Sequence, residues 1–455
     1  MITLLDLAYL AALAGTSPWL AYQALRKGKY REGWLAKCFG HVPRRSSKAP
    51  CLWFHAVSVG EVNLLGTLID QLARRRPEWQ CVVSTTTMTG MGLARKKFPQ
   101  LATFYCPLDF SWAVRRAFRR VCPAALVLVE LELWPNLVRI ARQAGVAVAV
   151  VNGRLSDRSF RGYRRIRPLV ARLLGELDVI AVQNQTYAER FLQLGARPET
   201  VRVTGNMKFD GAQTDRANPA TERLRRLAGI RPDDIVFLAG STQEPEEAMA
   251  LATYRQLAGG WPALRLILVP RHPDRFPTVA RMLDQSGLAW QRRSRLEKDG
   301  PNPAARVLLV DAVGELAAWW GTAQIAFVGG SLGNRGGQNM IEPAAYGAAV
   351  SFGPNTSNFR DVVALLLESQ AAVVVHEADE MTGFVRRCLA VPGFAQTLGQ
   401  RARQLVRSQL GATRRTVELL LPLVATPSRS PVPPPHFAPG SPRHRTAETD
   451  RQGAA

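Results

Sequence analysis

Short apolar runs alternate along this chain with stretches in which apolar positions recur every third or fourth residue. The runs predict buried strands, and the longer period predicts amphipathic helices. In the first half the strands fall at Leu52–Val59, Cys81–Thr86, Ala125–Glu130, Val146–Val151 and Val179–Gln183. Helical stretches such as Val62–Arg75, Leu133–Gln143 and Thr186–Leu194 follow them. The second half repeats the rhythm at Ile235–Ala239, Leu264–Val269, Val307–Val310, Ile325–Val328, Ala349–Phe352 and Ala372–Val375. Strands that are apolar throughout, joined by helices, belong to parallel sheets covered on both faces. The pattern breaks near Gly211, Asp215 and Pro219, which divides this α/β chain into domains at residues 31–215 and 216–425.

The two ends depart from the rhythm. From Ile2 to Leu25 the only charge is Asp6, and Arg26, Lys27, Lys29 and Arg31 follow at once. No basic residue precedes the apolar run, so the pattern of a signal peptide is missing. Gly15-Thr16-Ser17-Pro18 is expected to interrupt the run, leaving pieces shorter than the ~20 residues a spanning helix needs. Trp19, Tyr22 and Trp34 suit the headgroup level. Residues 1–30 therefore read as an interfacial or re-entrant membrane anchor, with an amphipathic helix packed on the protein's own core as the alternative. Residues 426–455 hold seven prolines among Ser, Arg and Gly, a composition that predicts a disordered tail.

Charge narrows the partner. The 455 residues are 47% hydrophobic and 21% charged, which excludes a disordered, collagen-like or polytopic membrane chain. Yet 59 Lys and Arg oppose 36 Asp and Glu, a net charge of +23. Residues 1–215 carry 31 basic and 15 acidic side chains, against 28 and 21 in residues 216–455. Beyond the first cluster, basic residues gather at Arg74 to Arg76, at Arg115, Arg116, Arg119 and Arg120, and at Arg161, Arg164, Arg165 and Arg167. Such clusters point to an anionic partner: nucleic acid, lipid headgroups or a phosphorylated substrate. They lack the interleaved aromatics of a base-stacking surface, so nucleic acid is not the expected one. Six scattered cysteines form no C-x-x-C pair, which argues against a zinc site or disulfide framework.

In open α/β sheets ligands bind beyond the carboxyl ends of strands. In the second half these ends are polar and rich in glycine. Gly240-Ser241-Thr242 leads towards Glu244, Glu246 and Glu247; Arg271-His272-Pro273 follows the next strand; and Gly314-Glu315-Leu316 follows Asp311. The longest loop runs Gly329-Gly330-Ser331-Leu332-Gly333-Asn334-Arg335-Gly336-Gly337-Gln338-Asn339 into Met340-Ile341-Glu342. Glycines allow close backbone approach, and amides entering a helix favour phosphate. Glu342 is suited to accept hydrogen bonds from ribose hydroxyls. The loop is not G-x-x-x-x-G-K-[ST] and lies too late in its domain for a dinucleotide fingerprint. A nucleotide or nucleotide-sugar site is the expectation, and a plain glycine turn the alternative. No Asp-x-Asp motif follows a strand to hold a metal at a diphosphate, which leaves Arg271 and Lys208 as candidate cations. In the first half Glu61 closes His55-Ala56-Val57-Ser58-Val59-Gly60-Glu61, where it is either a general base or only a helix cap. Glu130 and Glu132 end a very apolar strand, a costly place for carboxylates that bind nothing.

In order along the chain, six motifs closely resemble the 3-deoxy-D-manno-octulosonic acid (Kdo) transferases of lipopolysaccharide synthesis. They are Phe54 through Glu61, Glu130-Leu131-Glu132-Leu133-Trp134-Pro135-Asn136, Asn152-Gly153-Arg154-Leu155-Ser156, Gly205-Asn206-Met207-Lys208-Phe209-Asp210, Arg271-His272-Pro273 and the loop from Gly329 to Glu342. The resemblance implies a GT-B architecture, two Rossmann-like domains facing a cleft. The first would bind a membrane-embedded lipid A precursor (lipid IVA) and the second CMP-Kdo. It implies Glu61 as the base that deprotonates the acceptor hydroxyl, with Glu130 and Lys208 stabilising the transition state and the departing CMP. Arg271, His272, Val313, Gly314, Glu315, Gly336, Gly337, Gln338, Asn339 and Glu342 fall where the family holds CMP. Gln338 stands where the family often has His, which weakens a side-chain role there but not a backbone one. An inverting reaction without metal or cofactor is implied, on anionic lipids at the cytoplasmic face of the inner membrane, by a peripheral or monotopic enzyme. Another GT-B glycosyltransferase or an epimerase using a UDP-sugar is the runner-up, and a basic nucleic-acid-binding protein a remote third.

Overall fold

A computed structural model describes residues 4–27 and 32–425, so the expected tail at 426–455 lies outside the described residues. The first sheet contains β1 (Cys51–His55), β2 (Gln80–Thr85), β3 (Ala102–Tyr105), β4 (Ala125–Val129), β5 (Ala147–Gly153), β6 (Val179–Val182) and β7 (Val201–Val203), in the order β3-β2-β1-β4-β5-β6-β7. The second contains β8 (Ile235–Thr242), β9 (Leu264–Pro270), β10 (Trp290–Arg292), β11 (Val307–Leu309), β12 (Ile325–Val328), β13 (Ala349–Phe352) and β14 (Ala372–Val374), in the order β10-β11-β9-β8-β12-β13-β14. All neighbouring strands are parallel.

Both faces of each sheet are buried, which is why the central strands read as unbroken apolar runs. In β1, Cys51 and Trp53 enter one core while Leu52 and Phe54 enter the other. In β8, Val236 and Leu238 face one core, and Phe237 and Ala239 the opposite one. Strand order reverses between β1 and β4 and again between β8 and β12. At such points the flanking crossovers leave to opposite faces and open a crevice at the carboxyl ends.

Two expectations change. The apolar N-terminal stretch is not broken at Gly15–Pro18 but forms one helix, Leu4–Lys27, with Pro18 inside it. Pro18 has no N–H for the Ala14 carbonyl, and the Ser17 hydroxyl donates to that oxygen instead at 2.8 Å. Thr16 Oγ1 likewise donates to Ala12 O at 2.8 Å. No helix among the described residues is long and apolar enough to cross a membrane. The second change concerns the domain boundary, because helix Ala412–Ala425 leaves the second half and packs on the first. Its Ala412, Val417 and Leu420 share a core with Leu52 and Phe54. Asp210 fastens the helix start by accepting from the Gly411 N–H at 2.6 Å and from the Thr413 N–H.

Candidate active site

Helix Val59–Arg75 starts directly after β1, and Ser58 is its N-cap. Glu61 Oε1 accepts from the Ser58 hydroxyl at 2.7 Å and Oε2 from the Val57 N–H at 2.8 Å, while the Glu61 N–H donates to Ser58 Oγ at 3.3 Å. This reciprocal Ser-x-x-Glu cap fixes the carboxylate in one rotamer. Capping and catalysis are thus not exclusive readings. Burial pushes the Glu61 carboxyl up to about 6, with Glu130 and Glu132 adding negative potential. A carboxylate at that value is still mostly ionised at neutral pH and is a stronger base than a free one. His55 is a poor candidate for the base: it is fully buried away from any substrate, and burial pushes its ring down to about 4, which makes it a weak base.

Glu130 lies one residue past β4, across the first switch point from Glu61. Its backbone is left-handed, φ 58°, as is that of Asn152 at the end of β5, φ 54°. Such a conformation costs a non-glycine residue roughly 1–3 kcal/mol and persists where the surroundings over-determine it. Here they do. The Glu130 N–H donates to Val151 O at 2.9 Å, and Asn152 Oδ1 accepts from the Met207 N–H at 3.0 Å. Asn206 then caps the turn Met207–Phe209, accepting from the Lys208 N–H at 3.0 Å. Lys208 Nζ ends 3.6 Å from Glu130 Oε1, with both side chains about a quarter exposed. Glu132 is held by the Trp134 indole N–H at 3.0 Å, and burial raises its carboxyl.

The first half has a second buried polar cluster. Asp6 is fully buried and accepts from the Ser111 N–H and hydroxyl, each at 2.7 Å, so it caps helix Ser111–Val121 from a distant part of the chain. Asp109 does the same for helix Pro135–Gln143 through the Asn136 and Leu137 N–H groups, and also accepts from the Tyr9 hydroxyl at 3.0 Å. These bonds seat the N-terminal helix beside the Glu130–Asn136 segment. On its outer side Leu4, Leu7, Leu10, Trp19 and Tyr22 are exposed.

In the second half Arg271 and His272 are exposed after β9. The positive charge of Arg271 reaches Glu342, whose carboxyl is raised by burial and accepts from Asn339 Nδ2 at 3.0 Å. Gly336 and Gly337 both have positive φ, 82° and 77°, and pack against the 355–358 segment. Gln338 lies between them and Asn339, half-buried. Val313 and Gly314 are exposed, but the Glu315 carboxylate is engaged by Arg293 at 2.7 and 2.8 Å and by Arg223 at 3.4 Å. At the start of the glycine loop the Gly330, Ser331 and Leu332 amides all donate to Glu246. Arg154, just past β5, pairs at 3.1 Å with Asp361 of helix Arg360–Glu368, which follows β13. An ion pair between groups at the carboxyl ends of both sheets brings those ends together.

Residues 32–211 match the family model described as 3-deoxy-D-manno-octulosonic-acid transferase (kdotransferase). The 3-deoxy-D-manno-octulosonic acid transferase of Haemophilus influenzae is 32% identical over 88% of this chain and 93% of its own length. This chain belongs to the Kdo transferase family. The transferase of Bordetella pertussis is 34% identical over 90% of this chain and 98% of its own. Among solved structures, a UDP-GlcNAc 2-epimerase from Neisseria meningitidis bound to UDP-GlcNAc superimposes with a TM-score of 0.54, at 12% identity, over 82% of this chain and 100% of that one. At that identity the likeness is one of fold, the two-sheet GT-B arrangement. Membership in the Kdo transferase family supplies the chemistry that the fold alone leaves open.

Proposed function

We propose that this protein is an inverting glycosyltransferase that moves Kdo from CMP-Kdo to a lipid A precursor, lipid IVA, in lipopolysaccharide synthesis. The observation that carries the reading is the capped, buried Glu61 carboxylate, raised to about 6, in a Kdo transferase chain with Glu130 and Lys208 across the switch point. Glu61 takes the proton of the acceptor hydroxyl, and that oxygen attacks the anomeric carbon of Kdo. The bond from that carbon to the CMP phosphate oxygen breaks, and its electron pair leaves with CMP. Lys208 offsets developing negative charge, with Glu130 balancing the lysine before reaction. On the donor side Arg271 faces the phosphate, Glu342 the ribose, and the Gly336–Asn339 loop presents backbone. The route needs no metal ion.

The acceptor is a lipid, and two exposed surfaces suit an anionic bilayer. One is the apolar outer side of helix Leu4–Lys27. The other is helix Asp157–Arg165, which buries no residue and displays Arg158, Arg161, Arg164 and Arg165 beside exposed Ile166 and Leu169. Basic side chains flanking apolar ones bind anionic headgroups while the apolar groups enter the interface. We assign the enzyme to the cytoplasmic face of the inner membrane on this basis.

Purified protein incubated with CMP-Kdo and diphosphorylated lipid IVA, without added metal, is expected to release CMP and to raise the lipid mass by whole Kdo units. CMP release without a mass shift, or no product at all, contradicts the assignment.

A further inference from the structure

At the switch point of the second sheet, an acidic side chain meets the glycine loop. Glu246 opens helix Glu246–Ala258 after β8, and the loop follows β12. The side chain is 1% exposed, and four backbone N–H groups converge on it. Gly330 and Gln243 donate to Oε2 at 2.7 and 2.9 Å, and Ser331 and Leu332 donate to Oε1, each at 3.0 Å. Three successive amides aimed at one point make an anion-binding nest, the arrangement with which backbone holds phosphate. Here the anion is the chain's own. Gly329 shows how closely the two segments meet: a Cβ there would lie 2.6 Å from Glu246 Oε2 and 2.6 Å from the Thr242 Cα. Neighbouring Glu244 and Glu247 are neutralised by Arg275, whereas no ion pair to Glu246 occurs among the described residues. Its charge is met by amide dipoles alone, so the nest has no capacity left for another anion.

We propose that Glu246 restricts the donor site to nucleotides carrying one phosphate, by filling with its own carboxylate the nest that would otherwise hold a second. The inference rests on the nucleotide-donor reading above and deepens it. The GT-B fold is compatible with donors of either kind, and this side chain makes the distinction. A diphosphate entering here would have to displace the carboxylate or lie against it, since like charges at van der Waals distance in a poorly hydrated site repel strongly. A single phosphate is left to Arg271 and to the later part of the loop, Gly337 to Asn339.

The test is a calorimetric titration of the full chain with CMP, CDP, UMP and UDP. Wild type is expected to bind the monophosphate about tenfold or more tightly than the diphosphate of the same base, a difference of roughly 1.4 kcal/mol. In Glu246→Ala, checked for native circular dichroism, that ratio is expected to fall towards one. Glu246→Gln, which keeps the shape but turns an amide NH2 towards the backbone donors, should move it in the same direction. Equal wild-type affinity for the two phosphate forms of a base overturns the proposal, as does an unchanged ratio in a folded variant. If neither variant folds, Glu246→Asp, which draws the carboxylate back from the loop amides, takes their place: a lowered ratio is expected, and an unchanged ratio overturns the proposal. A preference for the uridine pair with its monophosphate selectivity intact would refute CMP-Kdo as donor while upholding the role of Glu246. Failure of all four nucleotides to bind would overturn the donor reading and this inference with it.

Discussion

In the first half the groups proposed to react are side chains carried on strained or capped strand exits. Glu130 and Asn152 have left-handed backbones, and Glu61 is bound at both oxygens by its own cap. In the second half the surface proposed to hold the nucleotide is backbone: a glycine loop folded over one internal carboxylate, with Arg271 and His272 as exposed side chains. The same sheet topology and the same switch point thus serve different tasks. Proton transfer requires a group with a tuned pKa held in one orientation, which burial, capping and neighbouring carboxylates provide. Holding a nucleotide requires shape and hydrogen-bond donors, which a glycine loop provides without titrating anything.

The sharpest way to break this contrast is to remove the base. Glu61→Gln should lower turnover by about 10²–10⁴-fold, since it deletes proton abstraction, yet leave CMP affinity unchanged in titration. Comparable losses in both would mean that the halves are not separable. Lys208→Met should follow with about 10²–10³-fold in kcat, the cost of one transition-state donor. A smaller effect tests structure rather than chemistry. Asp6→Ala leaves the Ser111 N–H without its carboxylate, which should cost about 1–3 kcal/mol of first-half stability by chemical denaturation. CMP affinity should stay at its wild-type value. The smallest effect belongs to the contact between the halves. The Arg154–Asp361 pair is about one-third exposed on each side, so Arg154→Ala should change stability by no more than about 1 kcal/mol, and less at high salt.

Central strands and their polar exits were legible because a sheet buried on both faces demands continuous apolar runs. Three of the four edge strands were not. β3 is four residues long, β7 carries Arg202, and β10 is Trp290-Gln291-Arg292, none of which needs two apolar faces. The site residues were readable one by one, since each stands at a strand end, but their partners were not. Asp6 was visible as a lone charge in an apolar run, yet its meaning lies at Ser111 and Asn136, 105 and 130 residues away. Glu246 read as part of an acidic helix start, and only the fold reveals that it fills amides 84 to 86 residues further on. The Ser58-x-x-Glu61 cap was available from spacing alone. The continuous helix through Pro18 was not, because it depends on Ser17 donating to the carbonyl that proline leaves free.

The central claim is that Glu61, raised to about 6 by burial and by its carboxylate neighbours, is the base for Kdo transfer. The direct measurement is kcat for Kdo transfer to lipid IVA as a function of pH at saturating CMP-Kdo, for wild type and Glu61→Gln. The base works only when ionised, so wild-type turnover should be level above pH ~7 and fall about tenfold per pH unit once below the carboxyl's value near 6. Glu61→Gln should show a small residual rate without that acid limb. Wild-type turnover in the variant, or an acid limb that persists unchanged when Glu61 is gone, would contradict the account.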